Sequence, residues 1–422
     1  MIVTAIRTVR YADFPNLVHV LIDTDEGVTG LGETFLGAAA VSAWVHENAA
    51  PYLLGRDPLA IEAHWQQLKG FVGMNASSTE NRGRSAVDIA LWDLYGQFTS
   101  QPLVQLLGGR VRDRIRVYNT CAGPFYARAI PIAGEVSTNN WQLGQAVDQR
   151  YEDMQAFLDR PEELARDLLA NGITGMKMWP FDVWVAESAG QYISRSQVRE
   201  TVRLFERVRE AVGDAVDLYV DLHTLWTLPA AIRIADGLRE VAPAWIEDPI
   251  RNDDPGALLE FKRSTSIPVC AGETLGTRWS FRDMLERRAL DVVMCDPVWV
   301  GGVSEARRVA AMAEAYQTPV TMHDCNGPVQ LAVSIHLSCH LVNAMIQESV
   351  RAYYLGWYGD LVESPPTVEG GFAAPPGAAG HGMRLRPELL RAPGTTITES
   401  SLGGGLGMIL SPAGAARRGD PS

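Results

Sequence analysis

Three short segments decide the fold of this sequence: Val-Asp-Leu-His at 220–223, Trp-Ile-Glu-Asp-Pro at 245–249 and Ala-Gly-Glu-Thr at 271–274. Each segment ends an apolar run with an acidic residue, and these acidic residues are 26 positions apart, from 221 to 247 and from 247 to 273. Such an interval accommodates one strand, one helix and two connections. The repeat therefore predicts consecutive parallel strands whose carboxyl ends meet at one edge.

The same alternation extends over about residues 115–350. Eight candidate strands are present: Ile115–Thr120, Thr174–Met178, Val216–Asp221, Ala244–Glu247, Ile267–Ala271, Leu290–Cys295, Pro319–Met322 and Ala344–Gln347. Segments with a helical period lie between them, most clearly Ser196 to Val212, which Gly213 ends. Eight strand-helix units predict an α/β fold of the closed (β/α)8 TIM type.

The flanking regions differ from the barrel pattern. Residues 1–114 carry strand-like stretches near 2–10 and 16–24 and a helix over 84–98, which predicts a separate α+β capping domain. Residues 115–350 form the barrel domain. We expect residues 351–422, which are rich in Gly and Pro, to return to the capping domain, with a disordered tail at about 411–422.

Composition excludes several classes of protein. The 422 residues are 46% hydrophobic and 21% charged, with a formal net charge of -13, which argues against disorder and against nucleic acid or an anionic membrane as a partner. The longest uncharged run, 325–347, is interrupted by polar residues and favours a soluble amphipathic helix. Five dispersed cysteines and an N-terminus unlike a signal peptide predict a cytoplasmic location.

Ionisable residues stand at the predicted carboxyl ends of seven strands. They are Lys177, Asp221, Glu247, Glu273, Asp296, His323 and Glu348. Three carboxylates in register on consecutive strands repel one another unless a cation lies between them, and an all-oxygen set suits Mg²⁺. We therefore predict one Mg²⁺ on Asp221, Glu247 and Glu273. The alternative is that these carboxylates cap helices or pair with Lys and Arg.

His323 and Asp296 end neighbouring strands, so their side chains can meet inside the rim. A carboxylate on one ring nitrogen fixes the tautomer and raises the basicity of the other nitrogen. We predict His323 as a general base that Asp296 supports. The alternative is that the hydrogen bonds of His323 only stabilise the barrel.

The motif series resembles the enolase superfamily, mandelate racemase subgroup. Besides the three opening segments, it includes Asp296-Pro297 with the glycines at 301–302, Met-His-Asp-Cys-Asn-Gly-Pro at 322–328 and Gln-Glu-Ser at 347–349. Upstream, Gly-Leu-Gly-Glu-Thr at 30–34, the segment 86–97 and the segment 102–109 resemble the capping domain of that family. The resemblance implies a Mg²⁺-dependent homo-oligomer that removes the proton next to a carboxylate and stabilises the resulting enediolate on the metal.

Two further roles follow from the resemblance. The Asp-x-His pattern at 221–223 is similar to the acid sugar dehydratases, of the galactonate dehydratase type, and makes His223 the acid for the departing hydroxyl. Otherwise His223 would only hold a metal ligand. Glu348 resembles a glutamate that hydrogen-bonds the enediolate, with a salt bridge to an arginine as the alternative.

The second strand departs from the family pattern. Many members carry Lys-x-Lys there, whereas this sequence has Lys177-Met178-Trp179, and an indole cannot accept a proton. A symmetrical two-base racemase is therefore disfavoured. Lys177 is expected either beside the substrate carboxylate or in a structural ion pair. Trp179 and Trp226 are expected to bind substrate as an aromatic wall, or else to pack in the core.

These features together predict a Mg²⁺-dependent aldonate or aldarate dehydratase that yields a 2-keto-3-deoxy acid, with a small carboxylate as its partner. The alternative enzyme is an epimerase, racemase or cycloisomerase that uses the same enediolate, with Lys177 or His223 opposite His323. A non-catalytic sugar-acid sensor is disfavoured, because binding needs neither the His–Asp pair nor three metal carboxylates. We expect specificity to lie in residues 11–16 and in the long stretch 123–159.

Overall fold

A computed structural model describes residues 1–69, 78–126, 128–131, 141–142, 150–404 and 406–410. The expected disordered tail, 411–422, lies outside the described residues, as do parts of the stretch 123–159. Residues 1–106 contain three strands and five α-helices in the described part: β1 (Val3–Tyr11), β2 (Leu17–Thr24), β3 (Thr29–Phe35), α1 (Ala38–Trp44), α2 (Ala50–Leu53), α3 (Ile61–Gln67), α4 (Thr79–Thr99) and α5 (Leu103–Leu106).

Strand β3 packs closely on helix α4. A Cβ atom at Gly30 or Gly32 would lie 2.1 Å or 1.8 Å from the carbonyl oxygens of Ala90 and Ala86, so only glycine permits this approach. Helix α4 begins five residues before the predicted start at residue 84, because its polar first turn lacks apolar periodicity. That turn is nevertheless partly buried, since Asn81 donates a hydrogen bond to the Trp299 carbonyl of the barrel.

Eight parallel strands in the described part of the chain form a closed barrel, in which the last strand pairs with the first. They are β4 (Ile115–Thr120), β5 (Gly175–Met178), β6 (Asp217–Asp221), β7 (Trp245–Glu247), β8 (Val269–Ala271), β9 (Val292–Cys295), β10 (Val320–Met322) and β11 (Ala344–Ser349). The predicted TIM-type barrel is therefore confirmed, and every predicted strand is present.

Helices cover the outside of the barrel. They are α6 (Asp153–Asp159), α7 (Pro161–Ala170), α8 (Arg195–Val212), α9 (Leu228–Leu238), α10 (Pro255–Ser264), α11 (Thr277–Arg287), α12 (Gly302–Ala315), α13 (Pro328–His340) and α14 (Tyr358–Leu361).

Helix α13 is buried on almost every side, so the prediction of an amphipathic helix in the uncharged run 325–347 is wrong. Contacts with α5, β3 and the barrel cover the face that was expected to meet solvent. Among the described residues, no helix has the length and apolar character needed to span a bilayer.

The C-terminal segment returns to the first domain. Its strands are β12 (Val368–Glu369), β13 (Phe372–Ala373), β14 (Thr395–Ser401) and β15 (Leu406–Leu410). β13 pairs with β4 of the barrel, whereas β14 pairs with β1 and completes a five-stranded antiparallel sheet in the order β15-β14-β1-β2-β3. The capping sheet is thus built from both ends of the chain.

A layer of aromatic residues fills the barrel below its carboxyl ends. Because side chains alternate along a strand, Tyr219 and Trp245 point inward two residues before Asp221 and Glu247. The rings of Tyr219 and Trp245 have centroids 4.0 Å apart, and the Trp245 indole donates a 3.1 Å hydrogen bond to Glu247 Oε2. This layer closes the barrel and supports the carboxylates above it.

Glu33 on β3 joins the capping domain to the barrel. Its buried carboxylate accepts hydrogen bonds from the backbone amides of Val329 (3.3 Å) and Gln330 (2.8 Å) in the first turn of α13. His19 lies against the same carboxylate, with Nε2 2.9 Å from Oε2. An anion at a helix N-terminus is favourable, so Glu33 stabilises the first turn of α13, the helix that follows His323 in the chain.

Replacement of Glu33 by alanine would lower the free energy of unfolding by about 3 kcal/mol, because His19 and two buried amides lose their acceptor. Urea unfolding followed by circular dichroism measures the change. Glu200→Ala, at an exposed position of α8, is the control and should shift stability by less than about 0.5 kcal/mol. Equal midpoints for the two variants would show that Glu33 does not stabilise the junction.

Candidate active site at the barrel mouth

Three buried carboxylates converge at the ends of β6, β7 and β8. Asp221 and Glu247 are directly paired in the sheet, and Glu273 follows β8 by two residues. One oxygen from each residue lies within 4.8 Å of the others. Two ligands on opposite sides of a Mg²⁺ ion are about 4 Å apart, so a small side-chain adjustment would allow one ion to contact all three carboxylates.

Lys177 lies among these carboxylates. Its Nζ is 3.1 Å from Asp221 Oδ2, 2.5 Å from Glu247 Oε1 and 2.7 Å from Glu348 Oε1. Lys177 therefore forms ion pairs with three carboxylates at the barrel mouth. Glu348 also accepts hydrogen bonds from the Thr120 hydroxyl and from the Asp324 amide, and its cationic partner is this lysine rather than an arginine.

The charges around the triad do not balance within the described residues. Burial raises the pKa of Glu247 well above its usual value, and repulsion by Asp221 adds to this effect even though Lys177 opposes it. Asp221 Oδ2 is buried, with Lys177 Nζ at 3.1 Å and His223 Nε2 at 3.4 Å as its cationic neighbours. One ammonium is thus shared by Asp221, Glu247 and Glu348, and the all-oxygen donor set of the triad fits a divalent cation that prefers oxygen ligands.

His323 and Asp296 form the predicted pair. His323 Nδ1 lies 2.7 Å from Asp296 Oδ2, which also accepts hydrogen bonds from the Gln330 (3.0 Å) and Asn326 (3.1 Å) amides. This network assigns the ring proton to Nδ1 and leaves Nε2 toward the cavity, 3.4 Å from Glu273 Oε2. Asp296 is held as an acceptor from several sides, so it fixes the orientation of the imidazole.

The charge state of His323 depends on the carboxylates around it. Burial lowers its pKa, but Glu273, Glu348 and Asp296 outweigh burial and hold the pKa well above the usual value. The imidazole is therefore protonated while these carboxylates remain uncompensated.

A second His–Asp pair lies in the same cavity. His223 Nδ1 is 2.7 Å from Oδ2 of the buried Asp182, and His223 Nε2 is 3.4 Å from Asp221 Oδ2. Burial lowers the pKa of His223, but Asp221 and Asp182 outweigh this and raise it to about 10. Sequence reasoning missed Asp182, because it lies in a short 3-10 helix after β5 rather than at a strand end.

His223 reaches the cavity through a turn. Strand β6 ends at Asp221, and His223 adopts a left-handed conformation with φ of 47°. Its amide then donates a 2.8 Å hydrogen bond to Asp221 Oδ1. This tight turn brings the His223 imidazole close to the Asp221 carboxylate.

The two pairs lie on opposite sides of the barrel mouth. His223 follows β6, the third barrel strand, and His323 follows β10, the seventh. Positions four apart in a ring of eight strands are diametrically opposed. A molecule bound at the triad would therefore have one imidazole on each side.

Aromatic and polar side chains complete a cavity of about 130 Å³. Trp179 lines it and also packs in the hydrophobic core, with its ring centroid 5.6 Å from that of His223. Trp226 does not line it but packs in the hydrophobic core. The lining residues that sequence reasoning missed are Phe35, Leu36, Thr120, Tyr126, Trp299, Cys325 and Asn326. A larger groove of about 670 Å³ lies elsewhere, between the capping domain and the outer helices.

Comparison with known proteins identifies the family. Residues 160–389 match the family model described as enolase C-terminal domain-like, and residues 1–108 match the N-terminal domain of mandelate racemase / muconate lactonizing enzyme. The matches to the two models lie on the barrel and on the capping domain.

Similar proteins include named dehydratases, which are hydro-lyases. A D-galactonate dehydratase family member from Streptomyces bingchenggensis is 32% identical over 81% of this chain and 80% of its own length. A D-xylonate dehydratase from Haloferax volcanii is 28% identical over 89% of this chain and 84% of its own length. A crystal structure of an enolase of the mandelate racemase subgroup from Agrobacterium tumefaciens is 43% identical, with a TM-score of 0.84, and covers 96% of this chain and 100% of that chain. With its barrel, capping sheet and acidic triad, this chain belongs to the enolase superfamily, in the mandelate racemase subgroup.

Proposed function

We propose that this protein is a Mg²⁺-dependent dehydratase of sugar acids, acting on an aldonate or aldarate. The observation that carries the proposal is the pair of opposed imidazoles, each backed by a buried aspartate, on either side of three convergent carboxylates. The dehydratase names among the relatives support the same reaction class.

Asp221, Glu247 and Glu273 would hold the metal ion. When bound there, Mg²⁺ supplies the positive charge that makes loss of a proton next to a carboxylate feasible. Lys177 would keep an ammonium group at the same end of the cavity, with Glu348 as its partner. Together these side chains orient the substrate carboxylate and place its C2 between the two histidines.

His323 acts as the base in this proposal. Its Nε2 accepts the proton from C2, and the electron pair of the C–H bond moves into the carboxylate to give an enediolate. Asp296 holds the ring during the transfer and stabilises the imidazolium that forms. Trp299, whose ring centroid lies 5.2 Å from that of His323, covers the imidazole on its other side.

His223 acts as the acid. The electron pair returns to form the C2–C3 double bond as the C3–O bond breaks, and a proton from His223 converts the leaving hydroxyl into water. The enol then tautomerises to a 2-keto-3-deoxy acid. Because proton removal and hydroxyl departure occur on opposite sides of the substrate, the elimination is anti. Trp179 beside His223 helps to exclude water.

Metal binding is the first expectation that can be tested without substrate. Glu247→Gln removes a charged ligand and should weaken Mg²⁺ binding about 100-fold or more, since loss of an outer-shell partner alone costs 10–100-fold. Isothermal titration calorimetry measures this affinity. Glu200→Gln on the exposed face of α8 is the matched control. Equal affinity in both variants would place the metal elsewhere.

Replacement of His323 tests the base. C4 to C6 aldonates and aldarates are incubated with Mg²⁺ in D2O, and keto acid and C2 deuterium are followed by NMR. The native enzyme should form keto acid from at least one substrate, and His323→Asn should lose both signals by about 10³-fold or more. His340→Asn, outside the cavity, serves as the control. C2 exchange without keto acid in the native enzyme would indicate the epimerase instead.

Replacement of His223 separates the acid from the base. His223→Asn should reduce keto-acid formation by about 10²-fold or more while C2 deuterium exchange persists, because His323 remains intact. Asp182→Asn should act in the same direction but more weakly, since it removes only the support of the imidazole. Parallel loss of exchange and elimination in His223→Asn would contradict the assignment of two separate roles.

A further inference from the structure

A second, smaller cavity adjoins the barrel mouth. It measures about 10 Å³, and three of its lining residues, Phe35, Tyr126 and Asn326, also line the cavity that contains the triad. The remaining lining residues are Phe14, Asn16, Arg128, Tyr353 and Trp357. The two cavities therefore adjoin each other, and Arg128 lies on the side of the shared lining away from the triad.

Arg128 is the cation of this second cavity. Its guanidinium carbon lies 4.3 Å from the ring centroid of Phe14, 4.9 Å from that of Phe125 and 5.4 Å from that of Trp357. Within the described part of the chain, no carboxylate lies within 4.0 Å of its nitrogens, and its buried Nε has no hydrogen-bond partner. Burial lowers the pKa of Arg128, and Asp360 and Asp13 oppose this only through longer-range attraction.

Arg351, a buried arginine that follows β11, has a different environment. Arg351 forms a 2.6 Å ion pair with Asp153 and a second one with Asp167. Both arginines lie near the carboxyl end of the barrel, but only Arg351 has acidic partners. Three aromatic rings shield the Arg128 guanidinium from water, and no anion among the described residues pairs with it. The group can therefore still donate two parallel hydrogen bonds to a carboxylate.

Hydrogen bonds fix the segment that carries Arg128. The Asn16 side chain donates to the Ala129 carbonyl (2.8 Å), and the Tyr353 hydroxyl donates to the Tyr126 carbonyl (3.0 Å). Residues 11–16 and the described beginning of the stretch 123–159 therefore meet here, which are the two segments expected to determine specificity.

We propose that Arg128 binds a second anionic group of the substrate, the terminal carboxylate of a dicarboxylic sugar acid. This inference rests on the proposed function and narrows its substrate class from sugar acids in general to aldarates. The substrate carboxylate next to C2 would lie at the triad. The planar guanidinium of Arg128 matches the geometry of the terminal carboxylate at the other end of the substrate. In a protein with a net charge of -13, a local cation is needed to favour a second negative charge.

Binding in an inactive background tests this assignment directly. Calorimetry with His323→Asn and Mg²⁺ compares an aldarate with the aldonate of the same length and configuration, over C4 to C6. Adding Arg128→Met should weaken binding of the best aldarate about 100-fold and change that of the aldonate less than about threefold. Arg128→Lys, which keeps the charge without the fork, should lie between. Arg307→Met, which removes another guanidinium next to an aromatic ring, is the control for stacking alone.

The ratio of the two affinities within one variant is independent of a general loss of stability. If Arg128→Met weakened the binding of the aldarate and of the aldonate equally, or weakened neither, the assignment of Arg128 would be overturned. The second anionic group could be a carboxylate or a phosphate, and an aldonate phosphorylated at its far end distinguishes the two. Tighter binding of that phosphorylated aldonate than of any aldarate would overturn the assignment of a dicarboxylic substrate. Because binding is measured without turnover, selective loss of aldarate affinity would support Arg128 even if the native enzyme eliminated no water.

Discussion

Repulsion among four buried carboxylates at the carboxyl end of the barrel is the constraint on which this site depends. Asp221, Glu247, Glu273 and Glu348 converge there, and Lys177 provides one ammonium group between them. In a low-dielectric interior such a set is stable only when further positive charge compensates it. The same carboxylates act on both imidazoles, so a cation bound at the triad would also change the protonation of His223 and His323.

The scaffold holds this unfavourable cluster together. An aromatic layer below the triad packs the barrel and donates a hydrogen bond to Glu247, while each histidine is fixed by an aspartate from a different element. The capping domain contributes through Glu33, which accepts hydrogen bonds from the first turn of the helix after His323. The two histidines are thus held by rigid elements and not only by their contacts with the triad carboxylates.

Sequence reasoning reached the parts of the site that follow from strand periodicity. The spacing of Asp221, Glu247 and Glu273 and the positions of His323 and Asp296 depend only on where strands end, and a barrel brings strand ends together. Asp182 could not be found in this way, because it lies in a short helix and contacts His223 through a left-handed turn. Trp226 and helix α13 were misjudged for a related reason: burial on several sides depends on neighbouring elements that a single segment does not reveal.

A crystal structure of the His323→Asn variant with Mg²⁺ and a bound sugar acid would test the proposed mechanism most directly. The mechanism predicts an ion about 2.1 Å from an oxygen of each of Asp221, Glu247 and Glu273, with the substrate carboxylate beside it. It also predicts that the C2 hydrogen faces position 323 and the 3-hydroxyl faces His223. A metal bound away from the triad, or a substrate whose C2 hydrogen and 3-hydroxyl lie on the same side, would contradict it.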